Sequence, residues 1–443
     1  MSRNGTITRK EFLWRGVGIA ALAGFGVGNV IGCSSGESQG NVEIQYWHIN
    51  TESFGGPTVR NLVARFQELN PNITVTERFQ NGSYTGLLEN LQTSLASDQL
   101  PDVAQIGYLY LNYVTENFPY VSIEDLVRDH GDDSLYDGMP ENVLKLGQVD
   151  GKQIGMPYSV SNPVMYYNAD MFSQAGLDTD NPPQDWEGWH EAAKHINDKL
   201  AKQGIWIYTL DDNWGTQAMI ESNGGQMLGC NGGQATAVFD GPEATEAIQF
   251  WADSIQEGAF LNTLYDQGTQ AFLSQGVAAI VDTIADRGNF QDQASFDLRA
   301  TSFPSFGNRG RRLPAGGNNL FVFSQDAAKR EAALRFIEFL TSRENLTTWT
   351  KGLGYIPTRE GMTNDPQYLG DFIRNNPIER VAIDQTPLVV PWASFPGPDG
   401  LKAASQTLFS ATQEVLGGKR SAKDGLSRAA DEVNQSLSGQ RCV

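Results

Sequence analysis

Apolar and polar positions alternate in short runs separated by longer stretches of helical spacing. Glu43-Ile44-Gln45-Tyr46-Trp47 alternates with a period of two and predicts a strand. Between Val59 and Leu69 the apolar residues Leu62, Val63, Phe66 and Leu69 recur at helical spacing, and Asn70-Pro71 closes the run. Ile73 to Phe79 alternates again. Tyr84 to Leu95 is a second amphipathic helix through Leu87, Leu88, Leu91 and Leu95, and Val103–Ile106 reads as a short buried strand. Strand, helix, strand, helix, strand is the order of a parallel sheet with helices packed on it, so the fold class is α/β.

The pattern then changes. Gln153 to Tyr167 is extended, with Pro157 and Pro163 breaking any helix. Helical spacing resumes at Trp186–Leu200, Gly241–Gln256 and Gln267–Gln275, and Val277–Val281 predicts a strand. Leu298–Phe306 is extended, Gly307–Arg312 a polar loop, Asn319–Phe323 a strand and Ala327–Leu340 an amphipathic helix. The tail from Leu401 to Leu437 is helical by pattern. No internal period of 20–50 residues is present, which excludes solenoids and propellers.

Composition narrows the functional classes. The 443 residues suffice for two or three domains with large cores. With 32 basic against 52 acidic residues the formal charge is −20, a field that repels nucleic acid and anionic lipid. His190 and His195 stand five apart, about 140° out of register on a helix, so they do not form a zinc-protease pair. Neither a nucleophile elbow nor a P-loop occurs, and no cofactor or metal is expected. Asp211-Asp212 is an acidic pair of the kind a glycosidase uses, which keeps a secreted carbohydrate-active enzyme as the alternative function.

The first 32 residues read as an export signal. A basic segment, Thr8-Arg9-Lys10-Glu11-Phe12-Leu13, precedes an uncharged stretch from Gly16 to Gly32 that is short and glycine-rich for a membrane span. Ile31-Gly32-Cys33 resembles a lipobox, which implies lipidation of Cys33, with residues 33–42 as a tether. The basic pair resembles a twin-arginine signal with Lys second, leaving the export route open. Cys230 and Cys442 remain, and the sequence does not decide whether they pair.

Four ordered segments carry a wider resemblance. Trp47-His48 is followed by Phe66-Gln-Glu-Leu-Asn-Pro71, and Leu100-Pro101-Asp102-Val103 introduces the third strand. Gly155-Met-Pro157, Tyr166-Tyr167-Asn168-Ala-Asp170-Met-Phe172 and Pro182-Pro183-Gln-Asp-Trp186 come next. Gly316-Gly317, Ala333–Leu340 and Gly354-Tyr355-Ile356-Pro357 complete the set. Together they resemble the extracellular solute-binding proteins of carbohydrate-type ABC importers, nearest to the glycerol-3-phosphate branch.

The resemblance implies two α/β lobes, each a mostly parallel sheet flanked by helices, joined by a multi-segment hinge. Residues 43–159 with 302–325 would form the N-terminal lobe, and 160–301 with 326–443 the C-terminal lobe. It implies an exported, lipid-anchored monomer that hands a sugar or polyol to permease transmembrane subunits, at the periplasmic or outer cell surface. Ligand contacts are expected from His48, Glu52, Tyr84, Tyr108, Ser161, Asn162, Asp212, Trp214, Asp282, Asp286, Gly317, Asn318, Tyr355 and Trp392. Trp214 and Trp392 would stack on the ligand, while Glu52, Asp286, Asn162 and Asn318 would bond hydroxyls and Gly317 would donate its N–H. Pro391-Trp392-Ala393-Ser394-Phe395-Pro396 lacks the arginine by which the glycerol-3-phosphate branch meets phosphate, although Arg287 and Arg380 stand elsewhere. A neutral sugar or glycoside is therefore expected rather than a phosphate ester.

Overall fold

The computed structural model describes residues 41–130, 133–210 and 212–442. The export signal, Cys33, most of the tether and Asp211 lie outside the described residues. No helix among the described residues is long and apolar enough to cross a membrane.

The chain opens with β1 (Val42–His48), α1 (Gly56–Leu69), β2 (Ile73–Phe79), α2 (Ser83–Ala96) and β3 (Val103–Gly107). Helices α3 (Leu111–Asn117) and α4 (Ile123–His130) lead to β4 (Met156–Ser161). α1 buries Val59, Leu62, Val63 and Phe66, the stripe its spacing predicts. Leu69, at the end of that stripe, runs past the sheet and is exposed.

After Asn162 alone, β5 (Pro163–Asn168) begins a second sheet, joined by α5 (Trp186–Leu200), β6 (Gln203–Ile207), α6 (Trp214–Ser222) and α7 (Pro242–Gln256). β7 (Phe260–Leu261), α8 (Tyr265–Leu273), β8 (Val277–Thr283), α9 (Arg287–Gln293) and β9 (Leu298–Ser302) complete it. The chain returns to the first sheet as β10 (Gly316–Val322). The first sheet has the order β2-β1-β3-β10-β4 and the second β7-β6-β8-β5-β9. In each, four strands run one way and the fourth in spatial order runs against them. Two mostly parallel sheets with their own helices give the two-lobed architecture.

The expected lobe boundary needs one correction. α10 (Ala327–Leu340) and α11 (Arg343–Leu353) pack on the first sheet, not the second. Phe336 of α10 meets Tyr46 and Phe66 edge-on at ring separations of 5.2 and 5.0 Å. Only after α12 (Gly370–Asn375), whose Ile373 belongs to that same core, does the chain cross again. α13 (Pro377–Asp384) packs on β9 and β5, and α14 (Phe409–Leu416) and α15 (Ala422–Ser436) pack with α7. The sheets are thus linked at Asn162, between β9 and β10, and at Asn376-Pro377. Cys230 and Cys442 form a disulfide, with Cα atoms 5.6 Å apart, that fastens the chain end to the hairpin Leu228–Ala237.

Candidate ligand-binding cleft

In a mainly parallel sheet, strand ends, helix N-termini and loop side chains collect at the carboxyl edge, which is where ligands bind in open α/β folds. Here a cleft of about 830 Å³ lies where the carboxyl ends of both sheets meet. From the first lobe it receives Ile49 and Phe54 after β1, Asn81 to Tyr84 after β2, and Leu109 and Tyr110 after β3. From the second it receives Tyr208, Asp212 and Trp214 after β6 and Thr283, Ala285 and Asp286 at the end of β8, with Tyr265 at the start of α8.

The first-lobe wall is built around two tyrosines. Asn318 donates from Nδ2 to the Tyr84 hydroxyl at 2.8 Å, and the Tyr84 and Tyr355 hydroxyls interact. Burial pushes the Tyr84 hydroxyl up to about 12, so it stays protonated as a donor. Tyr355 lies parallel to Trp349 at 6.0 Å and meets Phe54 edge-on at 6.1 Å. Gly317 has φ +111°, and a Cβ there would sit 1.9 Å from the Ser159 carbonyl oxygen. Only glycine lets β10 pass β4 so closely and keep its backbone at the cleft surface.

The second-lobe wall combines aromatic rings with carboxyl groups. Tyr208 donates to Asp212 Oδ2 at 3.4 Å, and the Trp214 N–H donates to Asp212 Oδ1 at 2.9 Å. Tyr265 donates its hydroxyl to Asp286 Oδ2. The Tyr208 ring meets Trp214 edge-on at 4.9 Å and Tyr265 edge-on at 5.3 Å. Trp392 lies 6.4 Å from Trp214 and bonds Asn213 through its indole N–H. Its loop is held by Gln217, which accepts from Ala393 N and donates to the Pro391 carbonyl. Burial raises the carboxyl groups of Asp286 and, further, of Asp282; Asp286 beside it adds to the rise at Asp282.

Of the expected contacts, Tyr84, Ser161, Asp212, Trp214, Asp286, Gly317, Tyr355 and Trp392 line the cleft. Six do not. His48 is buried, its Nε2 2.6 Å from Glu77 and its Nδ1 accepting from Asn50 N. Burial lowers its pKa, so it braces the turn after β1 as a neutral ring. Glu52 is exposed and grips Arg60 through both oxygens. Tyr108 is spent on the Ser159 carbonyl at 3.0 Å. Asn162 sits at the first crossing, Asn318 behind Tyr84, and Asp282 beneath the surface with Thr283 N on Oδ1. Neither Arg287 nor Arg380 lines the cleft: Arg287 turns to Glu379 at 2.8 Å and Arg380 to Asp384 at 3.7 Å.

Sequence reasoning passed over Phe54, Tyr208 and Tyr265 as cleft residues. Tyr208 directly follows a strand, the one signal that marks it. Tyr265 opens a helix and looks like any core aromatic.

A family model for bacterial extracellular solute-binding proteins matches residues 61–374. The chain belongs to that family. Among curated relatives, the sn-glycerol-3-phosphate-binding periplasmic protein UgpB of Rhizobium meliloti (strain 1021) is 24% identical over 422 residues, covering 90% of this chain and 95% of its own. The Escherichia coli (strain K12) UgpB is 23% identical over 430 residues, covering 91% and 94%. The fold matches the cyclic alpha-maltosyl-1,6-maltose binding protein from Arthrobacter globiformis with a TM-score of 0.77, 22% identity, and 90% and 99% of the two chains covered. It also matches UgpB from Mycobacterium tuberculosis in complex with glycerophosphocholine at 0.79 and 22%, covering 90% and 100%. Family and relatives are binding proteins, and the chain is a binding protein rather than an enzyme. The glycosidase alternative is set aside.

Proposed function

We propose that the chain is the exported capture subunit of an ABC importer, lipid-anchored through Cys33, that binds a hydroxyl-rich solute of the sugar class and delivers it to the permease. The observation that carries the reading is the make-up of the cleft. Flat rings from both lobes suit C–H-rich sugar faces, and carboxyl, hydroxyl and backbone N–H groups converge between them to fix hydroxyls. UgpB relatives are named for a phosphate ester, but no Lys, Arg or His lines this cleft among the described residues. A phosphate dianion would enter without the charge-assisted donors that anion recognition uses, so a ligand without phosphate fits better.

The test is calorimetry on the signal-free protein with mono- and disaccharides, polyols and glycerol phosphate. Binding of a saccharide is expected. Trp392→Ala should weaken it about tenfold, roughly 1.4 kcal/mol, within the range of one aromatic contact. Tight binding of glycerol phosphate with no saccharide bound would refute the reading.

A further inference from the structure

Of the nine aromatic side chains that line the cleft, Phe79 alone is exposed, at 45%; the others are half-buried or buried. It is the last residue of β2, the edge strand of the first sheet. Four large apolar side chains are exposed among the described residues, and of these only Phe79 lines the cleft. Its base is held firmly. In the parallel register Phe79 stands opposite His48, the two rings are 6.2 Å apart, and Gln80 N donates to the His48 carbonyl at 2.8 Å. His48 in turn is fixed by Glu77 and by Asn50 N. A ring held at its base and left uncovered presents a flat apolar face with little chain entropy left to lose.

The cleft runs from this ring across the width of the first sheet. Every strand ends on it: Phe79 of β2, Ile49 just after β1, Gly107 of β3, Gly316 of β10 and Ser161 of β4. At β10 the lining is buried and aromatic. A Cβ on Gly316 would lie 3.4 Å from the Trp214 ring, whose indole N–H donates to the Pro314 carbonyl, and Trp392 stands 6.4 Å from Trp214. In the order β2-β1-β3-β10-β4, β10 lies three steps from β2. Paired strands are about 4.8 Å apart, so Phe79 and the Trp214 corner are separated by about 14 Å along the sheet edge. Asn81 and Ser83, exposed directly after Phe79, add hydrogen-bonding groups at the outer end.

In a saccharide chain each pyranose advances by about as much as one strand spacing. A monosaccharide at the Trp214 corner would leave Phe79 in water, and one on Phe79 would leave the corner empty. A chain reaches both. Resting on the proposed sugar-class function, we infer that the ligand is an oligosaccharide of about three units, its inner unit at the Trp214–Trp392 corner and its outer unit on Phe79. Phe79 is then the residue that selects for length.

The experiment is calorimetry on the signal-free protein with gluco-, manno- and galacto-oligosaccharides of one to four units. In at least one series the affinity should rise tenfold or more between one unit and three. Phe79→Ala should take about tenfold from the three-unit ligand and so flatten that rise, while Phe79→Tyr, which keeps the ring, should preserve it. The position is exposed, so folding is not at stake. A monosaccharide bound as tightly as its oligosaccharides would overturn the inference while the sugar reading stands. So would a Phe79→Ala loss that is absent or equal at every length. Failure of every saccharide to bind would remove both.

Discussion

Gln385 offers the sharpest test of how the two lobes are joined. Its side chain is 2% exposed and touches two other crossing segments besides its own. Nε2 donates to Asn162 Oδ1 and to the Pro163 carbonyl, both at 3.0 Å, and Oε1 accepts from Phe303 N at 2.8 Å. Asn162 returns the bond by donating from Nδ2 to the Ala382 carbonyl at 2.9 Å. Gln385→Leu keeps most of the volume and removes all three bonds of the glutamine. It strands the Phe303 N–H and the Asn162 oxygen in a dry site, since both residues are 0% exposed. Each stranded group costs about 1–3 kcal/mol, so the substitution should lower unfolding stability by about 2–6 kcal/mol. Urea unfolding followed by tryptophan fluorescence reads this as a shift of midpoint at constant slope. Gln385→Glu is the companion variant. It keeps an acceptor for Phe303 N but faces two oxygens with a third, and should be no better than the leucine. A loss below about 1 kcal/mol for the leucine variant would refute the claim that one side chain knots the crossings.

Three further outcomes are expected. Replacing Cys230 and Cys442 by Ser opens a cross-link spanning 212 residues, for which chain entropy alone gives about 5 kcal/mol; unchanged denaturant stability would show that the loop-entropy reasoning does not hold here. Gly317→Ala puts a Cβ against the Ser159 carbonyl at positive φ and should cost about 3 kcal/mol or more as well as ligand affinity; wild-type melting would exclude a close β10–β4 approach. Asp282 and Asp286 keep protons in the folded chain at pH values where the unfolded chain has lost them. Their contribution is therefore fully present below the ordinary value of 3.8 and is lost as pH rises above it. Asp282→Asn should flatten the fall in unfolding free energy between about pH 4 and 7, and parallel curves for variant and wild type would refute the assignment.

What the sequence yields and what it withholds divides along physical lines. A buried face leaves a period, so the α1 stripe of Leu62, Val63 and Phe66 and the strand Val103–Ile106 are legible from spacing alone. The period does not say which sheet receives the face. That is why α10, whose spacing assigns it no particular sheet, packs on β1 and not with the rest of 326–443. The site shows the same limit at single residues. The family pattern points to Trp214, Tyr355 and Trp392, and all three line the cleft. His48 and Glu52 follow the same rule but are captured by local partners, Glu77 and Arg60. Gln385 carries no local signal at all, because its function exists only once three segments distant in sequence have met.

The contact residues and the crossing residues are chain neighbours, and this constrains how binding can act on the lobes. Ser161 lines the cleft and Asn162 beside it belongs to the Gln385 knot. Asp286 lines the cleft, and Arg287 beside it is locked by a buried ion pair to Glu379 in α13, just past the third crossing. Arg287 also lies 5.3 Å from the Phe372 ring of α12, on the other side of that crossing. A ligand can shift an equilibrium between open and closed lobes only by its differential affinity for the two. Tyr84 and Tyr355 line the cleft from one lobe, and Tyr208, Tyr265 and Trp214 from the other. An open form would give the ligand one wall and a closed form both. If each wall supplies a few kcal/mol, the second wall is itself the differential, and about 5.5 kcal/mol moves a population from 1:99 to 99:1. Crossings tied by buried, fully specified bonds then serve to make closure a choice between two arrangements rather than a continuous sag, because atoms one residue from the ligand cannot drift without breaking them.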